Sequence, residues 1–257
     1  MKKFRFFLSL CLIMVAATAS AQFANGSKKG SSAAVNTDSY QRFYVSYNPL
    51  SIKPDKGDDM NLTGFTFGFT KGISISKSLP LFVEAGARLN YSFNSETADD
   101  VELYGASEDR EYFFNGVMSQ ETKMTYMGVT VPVNLAYKWT SSSSSVSITP
   151  FVGLTFKGNI IAKTKATGTF DGRIHDNHDG HILSDGTLEL GETKKDLFDK
   201  KDVGKDGQWK RFQVGWQIGV GVDYKQLYVG FHYGSDFNEI CKKTKTSNWG
   251  ISLGYNF

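Results

Sequence analysis

The sequence predicts an all-β protein, an eight-stranded antiparallel transmembrane β-barrel, from three observations. Eight segments between residues 40 and 257 alternate between apolar residues and polar or small residues, which is the period of a two-faced strand. Glycines are concentrated on the polar parity, and the connections between segments alternate between long and short. Together these patterns indicate a closed sheet with lipid outside and a narrow interior.

The first 21 residues have the order of features that marks a removable export signal. Basic residues at 2–5 precede an apolar run from about Phe6 to Ala17, and small residues follow at 19–21. The apolar run is shorter than the roughly 20 residues that a helix needs to span a bilayer. We therefore expect a signal peptide over residues 1–21, cleaved after Ala21.

The charge balance excludes one class of function. The chain's net charge of +3 equals the three basic residues of the signal peptide, so the remaining chain is formally neutral. Nucleic-acid binders carry a basic stripe, and no nucleic-acid partner is expected. Cys241 is the one cysteine left after cleavage, which predicts a solitary loop thiol and no internal disulfide.

After the signal peptide, a polar, Gly- and Ser-rich stretch at 22–39 predicts a flexible periplasmic lead-in, and the barrel is predicted over 40–257. Its eight predicted strands are 40–48, 61–75, 81–93, 122–139, 146–161, 210–224, 227–235 and 246–257. Pro132 lies inside the fourth strand, where it predicts a β-bulge. Lys71 lies on the apolar parity and is expected near the periplasmic boundary.

The glycines predict which face of each strand points outward. Glycine is favoured where backbones crowd or bend sharply, so the glycine-rich parity suits the concave interior of a small barrel. The apolar parity must then meet lipid. Aromatic residues near the strand ends on that parity resemble interfacial girdles; these are Tyr47, Tyr91, Tyr137, Trp139, Tyr224, Tyr233, Tyr255 and Phe257.

The connections predict the orientation in the membrane. Long polar connections alternate with short ones along the chain, and with both termini periplasmic the short ones become periplasmic turns and the long ones extracellular loops. The long connections are 49–60, 94–121, 162–209 and 236–245, and the short ones are 76–80, 140–145 and 225–226.

Several segments carry a family resemblance: Thr130 to Lys138, Pro150 to Leu154, and Gly215 to Tyr224 with Leu227 to Gly230. They resemble successive strands of the outer-membrane β-barrel domain family of Gram-negative bacteria. The resemblance implies a small barrel of the OmpA/OmpX type in the cell outer membrane. It also implies that the terminal Phe257 is similar to the signal read by the barrel-insertion machinery.

Two groups of residues are candidates for a chemical site. His175, His178 and His181 could bind a metal ion if their loop folded around it, but a solvated polar loop is the favoured interpretation. His232 is placed on the lumen parity and Ser235 on the opposite face, so no nucleophile and base pair is expected. No catalytic, cofactor-binding or metal-binding residue is assigned, and no cofactor is expected.

Charged residues on the lumen parity predict an interior network rather than a pore, because eight strands enclose little more than their own side chains. The residues are Glu84, Arg88, Lys138, Arg211 and Asp223. The leading hypothesis is a non-enzymatic barrel displaying loops, with loop 162–209 touching a surface partner or polysaccharide and the wall meeting outer-membrane lipid or lipopolysaccharide. The alternatives are a narrow porin-like channel and a lipid-modifying enzyme.

Overall fold

A computed structural model describes residues 38–107, 111–140, 145–176 and 178–257. The predicted signal peptide at 1–21 and the lead-in as far as residue 37 lie outside the described residues. Within the described ranges, no helix combines the length and apolar character that crossing a bilayer requires.

Strands make up nearly all of the described structure, with one short helix. The elements are β1 (Tyr40–Tyr47), β2 (Leu50–Pro54), β3 (Met60–Ser74), β4 (Leu81–Ala106), β5 (Tyr112–Tyr137), β6 (Trp139–Thr140), β7 (Val146–Asp176), β8 (Ile182–Asp196), α1 (Lys200–Gly207), β9 (Phe212–Tyr224), β10 (Leu227–Asp236) and β11 (Thr244–Asn256).

The sheet closes on itself as an antiparallel barrel. From β1 the pairing runs through β11, β10, β9, β7, β5, β4 and β3, and β3 pairs with β1 again. β2 continues the path of β1, because it pairs with the same two neighbours, β11 and β3. The break between them falls at Pro49, which has no N–H to donate to the ladder. When β1 and β2 are counted as one interrupted strand, the closed barrel has eight strands, which confirms the predicted fold class.

The two faces of the wall have the predicted orientation. Outward residues such as Val45, Phe67 and Leu253 are 57%, 57% and 60% exposed, whereas the polar side chains of the other parity are buried in the lumen. An apolar outer surface of this extent is stable only against lipid. The eight aromatic residues predicted for the girdles are all exposed on this outer face.

Pro132 does not create the predicted bulge. Ala85 pairs with Val133 and Arg88 pairs with Thr130, so the register between β4 and β5 is the same on both sides of the proline. The ladder simply skips the pairs at Pro132 and Val131, with no residue inserted. A bulge lies instead in β7, where Ile160 is extra relative to β5.

Glycines make room for aromatic rings inside the lumen. A Cβ on Gly68 would lie 2.3 Å from the Tyr44 ring, and Cβ atoms on Gly221 and Gly230 would lie 2.5 and 2.2 Å from Tyr228. Real Cβ atoms do not approach other atoms so closely, so glycine is required at these three positions, which lie beneath the rings of lumen tyrosines.

Two of the predicted long loops are largely strand. β4 and β5 continue through most of 94–121 as a hairpin, and β7 with β8 forms a second hairpin through most of 162–209. The loop at 49–60 contains β2. The long connections therefore lie where predicted, but the predicted strand ends at 93 and 161 and the predicted strand start at 122 are wrong, because β4, β5 and β7 continue beyond them.

Candidate functional site

Arg42 is the centre of an ion network in the periplasmic half of the lumen. Its Nη2 atom lies 3.2 Å from Asp223 Oδ1, and its Nη1 atom lies 3.7 Å from Glu84 Oε1. Lys138 Nζ lies 3.4 Å from Asp223 Oδ2. The guanidinium carbon of Arg42 lies 3.5 Å from the ring centroid of Tyr228. Two buried carboxylates are thus held by one buried guanidinium and one lysine at the rim.

A chain of hydrogen bonds extends this network to the middle of the lumen. Arg88 donates from Nε to Tyr44 Oη at 2.7 Å and from Nη1 to Gln217 Oε1 at 2.9 Å. Gln217 Nε2 donates to Asn134 Oδ1 at 2.6 Å, and Asn134 Nδ2 donates to Glu84 Oε2 at 3.0 Å. Arg88 therefore reaches Glu84 through two amides, and the predicted interior network is confirmed for these residues.

The prediction that Arg211 joins the network is wrong, and Arg42, which the prediction does not include, is a member of it. Arg211 lies just before β9 begins, is exposed, and its guanidinium carbon lies 4.1 Å from the ring centroid of Phe198. Arg42 shares the inward parity of Tyr44 on β1, and that signal in the sequence would have identified it.

A second ion pair lies in the extracellular half of the lumen. Lys157 Nζ lies 2.8 Å from Asp236 Oδ1, and Gln213 Nε2 donates to Asp236 Oδ2 at 3.1 Å. The Thr246 hydroxyl donates to the same carboxylate. Asp236 is thus a buried carboxylate with its own set of donors.

His232 faces the lumen and Ser235 faces outward, as the alternation predicts. His232 Nε2 lies 3.3 Å from Asn248 Nδ2, and the Ser235 hydroxyl donates to the Thr246 carbonyl at 3.3 Å. The arrangement does not join a serine to a histidine at these positions.

Apolar clusters lie at both ends of the polar lumen. At the periplasmic end, Tyr40, Phe82, Ala136 and Phe151 pack together. At the extracellular end, a larger cluster joins barrel side chains to the segment after β8. We call it the extracellular plug; its buried members are Leu50, Ile52, Leu62, Met124, Tyr126, Ala162, Leu197, Phe198, Trp209 and Ile240.

Backbone hydrogen bonds hold the segment 197–209, which contributes Leu197, Phe198 and Trp209 to the extracellular plug, across the mouth of the barrel. Leu197 N donates to the Ala162 carbonyl at 2.9 Å, and Trp209 N donates to the Leu197 carbonyl at 2.8 Å. Gln208 Nε2 donates to the Phe198 carbonyl at 2.8 Å. These bonds close the segment into a cap, with α1 as its exposed outer part.

The lumen has little free space between the two clusters. One void of about 30 Å³ lies beside Arg88, Tyr126 and Gln217, and another of about 10 Å³ lies beside Arg42 and Glu84. A water molecule needs roughly 10–15 Å³ of such space, so these voids hold no more than one or two waters each. Solutes larger than water have no room here.

The three clustered histidines lie around the turn that joins β7 to β8. The backbone N–H of His178 is bonded to the Asp176 carboxylate at 2.7 Å, and that of His181 to the Asp179 carboxylate at 2.9 Å. The ring of His175 stacks on Phe113, with centroids 6.2 Å apart. In the described parts of the chain, no three His, Cys, Asp or Glu side chains are placed to hold a metal ion.

Beyond the membrane, β4, β5, β7 and β8 form a four-stranded extracellular sheet with two different faces. Across the face continuous with the lumen, register partners make an apolar row of Val101, Met118, Phe170 and Leu188. The neighbouring row is Leu103, Gly116, Gly172 and Gly186, and the Phe170 ring lies against two of these glycines. On the opposite face the adjacent row is Glu102, Val117, Asp171 and Thr187.

The extracellular sheet has two open edges. β8 pairs with β7 on one side, and within the described structure its other side carries unpaired backbone groups. β4 pairs with β3 no further than Phe93, so beyond Phe93 the edge of β4 that faces away from β5 is also unpaired there. Within the sheet, Glu192 of β8 bonds to Lys165 and Lys194. The hydrogen bond from Lys165, with that from Lys194, holds the pKa of Glu192 below its usual value.

The closed wall, apolar outer belt and filled polar lumen define a transmembrane β-barrel of the outer membrane. A sequence model of the outer membrane protein beta-barrel domain matches residues 101–242. The match covers more than half of the chain, and the chain belongs to this family. No curated protein matches it.

Solved structures similar to this chain include outer-membrane proteins of several bacteria. Ail of Yersinia pestis, solved with the heparin analogue sucrose octasulfate, is 12% identical, with 86% of this chain and 99% of that chain covered and a TM-score of 0.37. Neisserial surface protein A is 11% identical over 85% and 97%, with a TM-score of 0.34. The N-terminal barrel of Pseudomonas aeruginosa OprF is 10% identical over 83% and 97%, with a TM-score of 0.30.

Proposed function

We propose that the protein is a non-enzymatic, non-conducting barrel that displays the extracellular sheet for contact with a polysaccharide at the cell surface. The observation that carries this proposal is the filled lumen, in which ion pairs and two apolar clusters occupy the space that a channel would need. The chain's extended structure outside the membrane is concentrated in the sheet, on a rigid support that suits surface recognition.

The apolar face of the sheet supports a polysaccharide as the partner. Phe114 and Phe170 lie against glycines of neighbouring strands, so their rings are held close to the sheet. Val101 and Leu188 on the same face are 45% and 41% exposed. Phe170 is buried at 5% exposure and supports this face from beneath, so the accessible apolar surface comes from residues such as Val101 and Leu188. Such a surface matches the C–H faces of sugar rings, and the hydroxyl-rich edges of a sugar would meet the polar rim.

Loss of the apolar row is expected to weaken polysaccharide binding. The variant Val101→Ser/Leu188→Ser removes two exposed apolar side chains, and we expect its affinity to fall by on the order of tenfold or more. The measurement is retention of labelled protein in lipid nanodiscs on immobilised neutral and acidic polysaccharides. The matched control is Tyr104→Ser/Val117→Ser on the opposite face, which should bind within about threefold of the wild type.

Two outcomes would contradict this role. Equal losses in both variants would show that the apolar face is not the binding surface. A wild-type protein that none of the polysaccharides retains would remove the proposed partner.

We also propose that residues 1–21 are removed on export and that 22–39 precede the barrel on the periplasmic side. The order of basic, apolar and small residues supports this division. The protein purified from membranes should therefore begin at Gln22, measured as intact mass. A mass that includes Met1 would overturn the proposed cleavage.

The side-chain pattern that ends in Phe257 supports recognition by the barrel-insertion machinery.

A further inference from the structure

A basic notch lies on the outer wall of the barrel, at the extracellular ends of β2, β10 and β11. It is a groove of about 540 Å³ on a surface separate from the extracellular sheet. Its charged lining is Lys53, Lys243 and Lys245, with Asp55 and Glu239 also present. The five charges sum to one positive charge.

The two carboxylates of the notch balance only part of the charge of its three lysines. Lys53 and Lys245 are register partners on neighbouring strands, and like charges opposite each other destabilise a sheet. Within the described structure, no carboxylate oxygen lies within 4.0 Å of these three ammonium groups, whereas the adjacent Lys242 is 2.6 Å from Asp206. The notch therefore presents amines that an anion would stabilise.

The backbone fixes the position of Lys243. This residue has a positive φ of 55°, in the left-handed region that non-glycine residues rarely adopt. Its carbonyl accepts a hydrogen bond from Asp55 N at 2.8 Å, and Thr244 N donates to the Cys241 carbonyl at 3.1 Å. These bonds hold the turn that brings Lys243 beside the two strand lysines.

The depth of the notch corresponds to lipid headgroups. Tyr233 and Trp249 are register partners on the outer face, and the rings of Tyr47 and Trp249 are 5.7 Å apart, which forms an aromatic belt. Lys245 lies four residues beyond Trp249 on the same parity, about 13 Å farther along the strand. Aromatic belts mark the membrane interface, so the lysines lie just outside it.

A separate apolar groove lies nearer the periplasmic side of the wall than the notch. It has a volume of about 630 Å³ and lies on the lipid-facing wall across β1, β3, β4 and β11, with Val45, Phe67, Ile251 and Leu253 in its lining. β11 is common to both sites, and β1 is continuous with β2. A molecule with a charged head at the notch would extend its apolar chains into this groove.

We propose that the notch and the apolar groove together bind a phosphorylated lipid of the outer leaflet. The phosphate accepts hydrogen bonds from Lys53, Lys243 and Lys245, and the acyl chains lie along the wall beneath the aromatic belt. A lipid is favoured over a free anion, because Asp55 and Glu239 reduce the net attraction for phosphate alone. The groove supplies the remaining affinity through apolar contact.

The test measures lipid binding to the folded mature protein by native mass spectrometry. The three probes are lipid A with its phosphates, enzymatically dephosphorylated lipid A, and inorganic phosphate. We expect phosphorylated lipid A to bind, and the variant Lys53→Gln/Lys245→Gln to lower its affinity by on the order of ten- to thirtyfold. The control Lys77→Gln/Lys195→Gln removes two exposed charges elsewhere and should change affinity less than about twofold.

Each alternative result overturns the proposal. Equal binding of dephosphorylated lipid A would show that apolar contact alone accounts for the affinity and that the lysines do not bind phosphate. Full competition by inorganic phosphate would show that the notch binds a free anion and not a lipid. Equal losses of affinity in Lys53→Gln/Lys245→Gln and in the control Lys77→Gln/Lys195→Gln would show that binding depends on the net charge of the protein and not on the notch. Unboiled gel mobility identifies folded protein for each variant, and Lys243→Gln gives an independent third measurement if the double variant fails to fold.

Discussion

Arg42→Ala is expected to lower the free energy of unfolding by about 3–5 kcal/mol, because it leaves buried carboxylates without their main partner. Glu84 and Asp223 both depend on this guanidinium, and each is nearly inaccessible to solvent. The change also removes the cation that lies over the Tyr228 ring. The measurement is urea unfolding of the protein in lipid vesicles, followed by gel mobility without boiling.

Two further variants separate the network from a general effect of charge. Arg173→Ala breaks an exposed pair with Asp185 on the extracellular sheet and should cost less than about 1 kcal/mol. Arg42→Lys keeps the charge but loses the planar fork, so its stability should fall between those of Arg42→Ala and the wild type. Equal unfolding midpoints for Arg42→Ala and Arg173→Ala would show that the lumen network does not stabilise the barrel.

The membrane-spanning strands could be predicted because the membrane imposes two different environments on them. In the first half of β4, Val83, Leu89 and Tyr91 alternate with Glu84 and Arg88, so the outward and inward sides are distinct in the sequence. The parity and the order of strands follow directly from this contrast.

The outer halves of the same strands could not be predicted in that way. Past Phe93, β4 continues with Asn94, Ser95 and Glu96, which face water on both sides. Without a lipid side, the alternation of apolar residues is weak, and the hydrogen bonds to β5 hold the strand instead. A polar composition alone does not distinguish such a hairpin from an irregular loop.

The extracellular plug was also hidden in the sequence. Leu197 and Phe198 stand as an isolated apolar pair in a polar stretch, and Trp209 follows after α1. An apolar pair gives no direction for its burial, and its partners Leu50, Leu62 and others come from distant strands. Closure of the barrel brings these strands together, so the cluster follows from tertiary structure and not from local pattern.

Phe198→Ala/Trp209→Ala is expected to release the plug while the barrel stays folded. Phe198 and Trp209 are both buried, and a Phe or Trp to Ala change in a core typically costs about 3–5 kcal/mol of stability. We expect this loss to exceed the free energy that holds a short segment against the barrel. Trypsin should then cleave at Lys200, Lys201 or Lys205 much faster than in the wild type, with unchanged unboiled gel mobility. Phe212→Ala/Phe237→Ala, on exposed aromatic residues, should leave cleavage unchanged.

The wild type and the Phe198→Ala/Trp209→Ala variant also test whether the lumen of the barrel is blocked or conducts ions. The wild type should give no steady conductance in a planar bilayer, and release of the plug should leave conductance low, because the Arg42 and Arg88 networks still fill the lumen below it. Stable channel openings in the wild type would contradict the filled lumen. Openings in Phe198→Ala/Trp209→Ala alone would show that the plug by itself seals a conducting pore, and the polar networks would then be its lining.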